Sequence, residues 1–329
     1  MRSKNARGKS VSYARYGVWF CVPFFLAFLL FSLWPVIYTV IVSISDYAGM
    51  FTRDFSVLKT DIFRSYRYVL FESKAFTNTF SNTAIMWIFN FIPQLGLALL
   101  LTAWFTGVSV KIRAQGLFKV LFYMPNIITA ASIAMLFFAL FSYPTGPVNS
   151  VLVSMGFDKY EFFRDKAFTR GLVSAIQCWI WYGNTTIVLI AGVLGINPAL
   201  FEAAAVDGAD GWQIFRHITL PSLRTIMLYT LVTSMIGGLQ MFDIPLLLTP
   251  TPGGGPDHAT ETMAVYLYNQ AFTGGRQYNR GAAASMVLFV IAAVLSSVLF
   301  YILRDRDAAK IKKELRREAK LAAKGGVVS

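Results

Sequence analysis

Hydrogen-bonding and aromatic side chains recur at helical spacing inside three long apolar stretches of the sequence. Gln177, Trp181 and Asn184 fall at i, i+4 and i+7, which places them on one face of a helix. Such side chains could bind a polar ligand within these apolar stretches. They could equally hold neighbouring helices together, at roughly 0.6 kcal/mol per contact. The candidate ligand-binding residues are Asn126, Thr129, Gln177, Trp181, Asn184, Ser234, Gln240 and Asp243.

Sets of residues typical of catalysis or metal binding are not apparent. Cys21 and Cys178 both lie in apolar runs, and His217 and His258 have no partners at metal-ligand spacing. The Gly8-Lys9-Ser10 tripeptide resembles the end of a phosphate-binding loop, but the glycine that this motif needs five residues earlier is replaced by serine. The sequence therefore predicts a protein that is not an enzyme and that binds no metal or cofactor itself.

Six stretches of the chain contain almost no charged residues. Hydrophobic residues make up 56% of the 329 residues and charged residues 14%, too few charges to cover a surface in water. Each stretch can hold the roughly 20 apolar residues that cross a bilayer, and backbone in lipid must be helical. We expect an all-α polytopic membrane protein with six transmembrane helices. They are predicted near 17–43, 78–106, 120–142, 171–195, 225–249 and 281–303.

The location of the basic residues predicts the orientation of these spans. The two tails and the loops at 107–119 and 196–224 carry most of the 30 Lys and Arg residues. Because basic loops stay in the cytoplasm, both termini are expected there. The net charge of +13 is thus explained by basic residues that lie against anionic lipid headgroups, rather than by binding to nucleic acid. We expect a basic tail over 1–16, a membrane domain over 17–303 and a basic tail over 304–329.

The predicted cytoplasmic loop between spans four and five has the features of two short helices joined by a sharp turn. Asn197 is a good N-cap, and Pro198 suits a first helical turn. Gly208 permits the turn, and Asp210 can cap a second helix that stops near Pro221. The 197–221 loop is therefore predicted to lie as a helix–turn–helix at the membrane surface.

This loop resembles the EAA loop of ABC importer permeases. Glu202-Ala203-Ala204, Gly208 and Ile218-Thr219-Leu220-Pro221 match the fixed positions of that family's pattern. The form Ala205-Val206-Asp207-Gly208-Ala209 is similar to the sugar-type motif. Other matches extend the resemblance over most of the chain, to the first permease subunit of maltose- and glycerol-phosphate-type systems. They are Asn78-Thr79, Tyr123-Met124-Pro125, Thr145 to Asn149, Phe242-Asp243, Gly254-Gly255-Pro256, Tyr266-Leu267-Tyr268 and Ala271-Phe272.

The resemblance implies a type I ABC importer permease in the bacterial cytoplasmic membrane. It implies a second homologous permease subunit, two ATP-binding cassette subunits that bind ATP and Mg, and an extracytoplasmic sugar-binding protein. The substrate is expected to be a di- or oligosaccharide, and its contacts in a maltose-type relative come from equivalent stretches of spans three to five. The residues that the resemblance assigns to coupling with the ATPases are Glu202, Ala203, Ala204, Asp207 and Gly208.

Two other functions would need features that the sequence supplies poorly. An ion-coupled secondary transporter needs titratable groups at mid-membrane, and Asp243 alone is available within the predicted spans. An embedded glycosyl- or lipid-modifying enzyme needs paired carboxylates or a metal set, and no persuasive one is found.

Overall fold

The computed structural model describes residues 14–47, 49, 56–58, 60–107, 113–249, 254–273 and 276–303. The predicted C-terminal tail over 304–329 and most of the predicted N-terminal tail over 1–16 lie outside these ranges. The described residues are almost entirely helical. The helices are α1 (Ala14–Phe28), α2 (Trp34–Ser43), α3 (Arg64–Arg67), α4 (Lys74–Thr106), α5 (Gln115–Ile127), α6 (Ala130–Phe141), α7 (Pro147–Ser154), α8 (Lys166–Leu194), α9 (Pro198–Val206), α10 (Gly211–Ile214), α11 (Leu220–Ser222), α12 (Arg224–Leu239), α13 (Asp243–Leu247), α14 (Met263–Phe272) and α15 (Tyr278–Leu303).

Within the described residues, five helical segments are long and apolar enough to cross a membrane, and a sixth candidate is a bent pair of helices. This agrees with the six predicted spans. A turn of π-helix at Leu29–Leu33 joins α1 to α2 within the first span. The five segments are Tyr16–Ser43, Lys74–Thr106, Lys166–Leu194, Arg224–Leu247 and Tyr278–Ile302.

The third span is not the single helix predicted over 120–142. It consists of α5 and α6, whose axes differ in direction by 87°. Ile128 is extended, and the Thr129 hydroxyl accepts a hydrogen bond from the Ser132 amide, which begins a new helix. Pro125, inside the last turns of α5, has no amide hydrogen to donate there. A capping residue therefore interrupts a run that the charge pattern alone presents as continuous.

Spans two and four begin earlier than the charge-free stretches indicated. Helix α8 begins at Lys166 rather than near 171, because the Asp165 carboxylate accepts hydrogen bonds from the amides of Ala167 and Phe168. The Tyr160 hydroxyl also donates to Asp165, and these bonds lower the pKa of this carboxyl. The earlier start brings Arg170 into the helix, although the predicted span contained no basic residue.

The helices pack around α4 and α8, which make the most extensive contact in the chain. Gly183 allows α8 to approach the α5 backbone at Phe122. The main buried cluster joins these helices to α6 and α13, and includes Met86, Ile133, Ile176 and Ile244. The first and sixth spans are mostly exposed within the single chain. Their apolar surfaces fit a lipid environment or contact with other membrane subunits.

Candidate functional site

A polar cavity of about 570 Å³ lies in the middle of the helical bundle. Its walls come from α4, α8 and α12, together with the two places where the third and fifth spans leave helical geometry. One is the bend at Ile128, and the other is the segment 240–242 between α12 and α13. Non-helical backbone is tolerated at membrane depth where it lines a water-filled cavity rather than lipid.

The structure brings together seven of the eight residues that the sequence predicted for ligand contact. The seven lie on three different spans, and all line the same cavity. They are Asn126, Gln177, Trp181, Asn184, Ser234, Gln240 and Asp243. Thr129 is not among the lining residues, since its hydroxyl caps α6 and bonds with Ser132. The role of all eight in binding a ligand stays a prediction.

Sequence reasoning missed the contribution of α4 to this cavity. Asn90 and Gln94 are buried in its wall, and Gln94 donates a hydrogen bond from Nε2 to Thr185 Oγ1 on α8 at 2.7 Å. The Asn90 Oδ1 atom is buried without a hydrogen-bond partner within the described part of the chain. The i, i+4 spacing of the two amides in an apolar helix was a usable signal. Tyr229, Thr230 and Thr233 of α12 also line the cavity.

The charge of the cavity wall is low. Among the described lining residues, Asp243 is the single carboxylate, and none is a Lys, Arg or His. The polar groups that a ligand would meet are therefore mostly uncharged amides and hydroxyls, set among apolar side chains. Such a wall suits an uncharged, polyhydroxylated molecule, whereas an anionic ligand would find no positive side chain to bind. The described residues also include no group of three His, Cys, Asp or Glu residues placed to hold a metal ion.

Gly238 fixes one side of the cavity, and its replacement with alanine is expected to destabilise the protein. A Cβ atom there would lie 2.2 Å from Cδ1 and 3.1 Å from Cβ of Trp87, whose indole nitrogen donates to Ser234 Oγ at 3.2 Å. Overpacking of this kind costs about 1–3 kcal/mol. Thermal unfolding in detergent should show a lower midpoint for Gly238→Ala. The matched control is Gly237→Ala, whose Cβ would meet nothing within 4 Å; equal midpoints for both variants would contradict the assignment.

The 197–221 loop has the predicted helix–turn–helix form. Asn197 Oδ1 accepts a hydrogen bond from the Ala199 amide at the start of α9. Gly208 has a left-handed φ of +76°, and the amides of Gly208 and Ala209 close the end of α9 on the carbonyls of Ala205 and Ala204. The Asp210 side chain then accepts a hydrogen bond from the Gln213 backbone amide, and the Gln213 side chain accepts one from the Asp210 backbone amide. This capping box starts α10.

The outer surface of the 197–221 loop is open to a partner. Glu202, Ala203 and Asp207 are exposed, and so are the large apolar side chains of Val206 and Trp212, at 88% and 62%. The opposite surface is anchored, because Ala204 and Ile214 are buried. Phe201 packs on a cluster formed by Ala98, Leu189, Val193 and Leu223 at the ends of three spans. The loop therefore joins the transmembrane bundle through packing while it presents a mixed acidic and apolar face.

The loop and the cavity are joined by continuous helix. Helix α8 carries Gln177, Trp181 and Asn184 and ends at Leu194, just before the loop. Helix α12 starts at Arg224, just after the loop, and carries Ser234. A displacement of the loop would consequently move two walls of the cavity.

Known proteins resemble the chain over most of its length. A family model described as a binding-protein-dependent transport system inner membrane component matches residues 2–313. The lactose transport system permease protein LacF of Rhizobium radiobacter is 29% identical over 289 residues, 87% of this chain and 93% of LacF. The diacetylchitobiose uptake system permease protein NgcF of Streptomyces coelicolor is 27% identical over 326 residues, 93% of this chain and 90% of NgcF.

A solved structure shows the same fold. A chain of a bacterial ABC transporter involved in the import of the acidic polysaccharide alginate superposes with a TM-score of 0.72 at 24% identity. The match covers 89% of this chain and 96% of the alginate transporter chain. A second structure of a bacterial alginate ABC transporter, in complex with an alginate pentasaccharide-bound periplasmic protein, gives a TM-score of 0.70 at 25% identity over the same shares of both chains.

Proposed function

Because the chain belongs to the binding-protein-dependent transport system inner membrane components, we propose that its polar cavity carries a neutral di- or oligosaccharide and that its 197–221 loop couples this transport to ATP hydrolysis. The protein is the inner-membrane permease subunit of a sugar ABC importer, with the type I importer permease fold. The family resemblance expected from the sequence is thereby confirmed. The proposal concerns the class of sugar, the coupling residues and the partner subunits.

The chemistry of the cavity wall is the observation that carries the proposed substrate. Amide groups from α4, α8 and the 240–242 segment face a space of about 570 Å³, and Trp181 supplies an aromatic surface. No described lining residue is basic, so an acidic sugar would lack a counter-charge. The names of the relatives LacF and NgcF specify lactose and diacetylchitobiose, which are both disaccharides. These observations favour a neutral sugar of two or more units for this chain.

The exposed face of the 197–221 loop supports the proposed coupling. We expect Glu202, Ala203, Asp207 and Gly208 to form the part that enters a cleft of an ATPase subunit. Ala204, which the family resemblance also assigns to coupling, is buried on the opposite surface and is expected to support these residues by packing. The acidic side chains could form charge-assisted hydrogen bonds there, while Val206 and Trp212 could bury apolar surface. Movement of the ATPase would reach the cavity through α8 and α12, which flank the loop.

The proposed assembly contains a second permease, two ATPase subunits and an extracytoplasmic sugar-binding protein. The large exposed apolar surface of the first span fits burial against other membrane subunits or lipid. ATP and Mg would be bound by the ATPase subunits, and this chain would supply no catalytic residue. The two tails and the loops at 107–119 and 196–224, which carry most of the basic residues, are expected on the cytoplasmic side.

Reconstitution tests this proposal directly. The chain is to be purified with its partner permease, ATPase and binding protein, and placed in liposomes. We expect uptake of radiolabelled neutral disaccharides that requires ATP and the binding protein, with little uptake of uronic acid oligomers. Uptake that persists without the ATPase subunits and stops when a proton or sodium gradient is removed would instead favour an ion-coupled transporter that uses Asp243.

Trp181 is expected to contact the sugar, so its replacement with alanine should reduce uptake. Loss of an aromatic face should lower kcat/KM for uptake by up to about tenfold. Trp179 provides the control, because it lies on the same helix with similar exposure, 36% against 45%. The Trp179 ring packs against Phe137 and lines an apolar groove that is separate from the cavity. Equal kcat/KM values for Trp181→Ala and Trp179→Ala would contradict the proposed contact between Trp181 and the sugar.

A further inference from the structure

The segment 254–262, here called the strap, folds back tightly between the fifth and sixth spans. The Thr260 amide donates to the Gly254 carbonyl at 2.9 Å, and the strap is buried from Ala259 to Thr262. Asp257 and His258 have φ values of +47° and +58°, a region that side chains other than glycine seldom occupy. The surrounding contacts must therefore hold the strap in this conformation.

Helix α4 binds the strap and the first residue of α14 through two adjacent polar residues. Asn82 Nδ2 donates to the carbonyl oxygen of His258 at 2.8 Å and to that of Glu261 at 3.2 Å. Thr83 Oγ1 accepts a hydrogen bond from the Met263 amide at 2.9 Å. Both side chains are buried.

Helix α8 binds the strap through Arg170. The Arg170 Nε atom donates to the Ala259 carbonyl at 2.8 Å, and a terminal nitrogen of the same guanidinium donates to Asn82 Oδ1. One side chain therefore joins α8, α4 and the strap. The Lys166 ammonium also contacts the Asp257 carboxylate at 2.8 Å, a contact that lowers the pKa of Asp257.

The strap is connected in turn to the rim of the cavity. Thr262 Oγ1 donates to the carbonyl oxygen of Met241 at 2.6 Å. Met241 belongs to the non-helical segment 240–242, which lines the cavity beside Asp243. This rim is at the far end of the bundle from the 197–221 loop, since α8 begins beside the strap and ends beside the loop.

We propose that Arg170 is a positioning residue that latches the cavity closed at the end opposite the 197–221 loop. The inference rests on the proposed function, because a transporter must open this end to admit its substrate. Opening requires the 240–242 rim to separate from α4 and α8. The hydrogen bonds of the Arg170 guanidinium connect the same elements through the strap. In this proposal the bonds are made when this end of the cavity is closed and broken when it opens, so their loss shifts the equilibrium toward the open arrangement.

The rate at which a reagent outside the cell labels a cysteine in the cavity tests this latch. Thr233 lines the cavity and can be replaced with cysteine after Cys21 and Cys178 are replaced with serine. A membrane-impermeant maleimide is then added outside spheroplasts that express the whole transporter. We expect Arg170→Gln to raise the labelling rate about tenfold, because charge-assisted hydrogen bonds specific to the closed state are lost. ATP hydrolysis without binding protein should rise in the same variant.

Two further variants separate the latch from a general loss of charge. Arg164→Gln removes a similar guanidinium six residues earlier, where the side chain is 81% exposed and pairs with Glu161; its labelling rate should equal that of the parent. Arg170→Lys keeps the charge but cannot bridge two acceptors with the same geometry, so an intermediate rate is expected. Parent rates in an assembled Arg170→Gln complex would overturn the proposal.

A variant that fails to assemble does not end the test. Thr262→Val retains the buried volume and removes the bond to Met241 together with the cap that the Thr262 hydroxyl provides for the Val265 amide, so it should also raise labelling. Parent rates for both Thr262→Val and Arg170→Lys would overturn the latch. The proposed function has a separate criterion, which is stimulation of ATP hydrolysis in the parent complex by the sugar-loaded binding protein. The labelling rates of parent and variants can be compared whether or not that stimulation occurs.

Discussion

Replacement of Gly183 with alanine is expected to prevent the chain from reaching its native packing. A Cβ atom at this position would lie 1.9 Å from the carbonyl oxygen and 2.5 Å from the carbonyl carbon of Phe122. These are backbone atoms of α5, so no change of side-chain rotamer can relieve the overlap. The two helices would have to separate, at a cost of at least about 1–3 kcal/mol. Because α5 leads to Asn126 in the cavity wall, transport should also be lost.

Fluorescence-detected size exclusion and thermal unfolding would measure this effect. We expect Gly183→Ala to yield little monodisperse protein and a clearly lower unfolding midpoint. Gly171→Ala is the control on the same helix, since its Cβ would meet nothing within 4 Å. It should unfold at the parent temperature or slightly above, because alanine favours helix over glycine by roughly 0.5–1 kcal/mol. A Gly183→Ala protein as stable as Gly171→Ala would show that the close approach of α5 and α8 is wrong.

Substitutions in the 197–221 loop should abolish coupling without affecting insertion. Glu202 is exposed, so its replacement with lysine should leave the fold intact. The lysine would place a positive charge where the proposed ATPase cleft is expected to bind a carboxylate. Loss of such a contact reduces binding by about tenfold or more. We expect ATP-dependent sugar uptake and binding-protein-stimulated ATP hydrolysis to fall by at least that factor. Glu161→Lys, an exposed glutamate in the 155–165 connection before α8, should have neither effect.

Gly208 allows a sharper test of the same loop. Its φ of +76° is accessible to glycine and tolerated by asparagine, but it is strongly disfavoured for valine. A Cβ there would meet nothing within 4 Å, so conformation rather than space decides the outcome. Gly208→Val should disrupt coupling, and Gly208→Asn should preserve most of it. Normal stimulated hydrolysis in Gly208→Val would contradict the coupling role of this turn.

The sequence determined the features of this protein that depend on short-range interactions. Helix spans follow from runs of uncharged residues, which the bilayer selects by length and polarity. The 197–221 loop is set by caps and a turn within a few residues, namely Asn197, Gly208 and the Asp210–Gln213 capping box. The i, i+4, i+7 spacing on α8 also placed Gln177, Trp181 and Asn184 on the cavity face correctly.

Only the tertiary structure decided which spans meet and where helices break. Asn90 and Gln94 enter the cavity because α4 packs against α8, and residues about 90 positions apart leave no local pattern that would pair them. The latch joins Asn82, Arg170 and the strap over a comparable or larger separation. Arg170 lies just before the predicted fourth span, because a charged residue usually marks the end of a membrane-spanning helix. Hydrogen bonds to the Ala259 carbonyl and to Asn82 Oδ1 let Arg170 lie within α8, and those partners are defined only once the chain has folded.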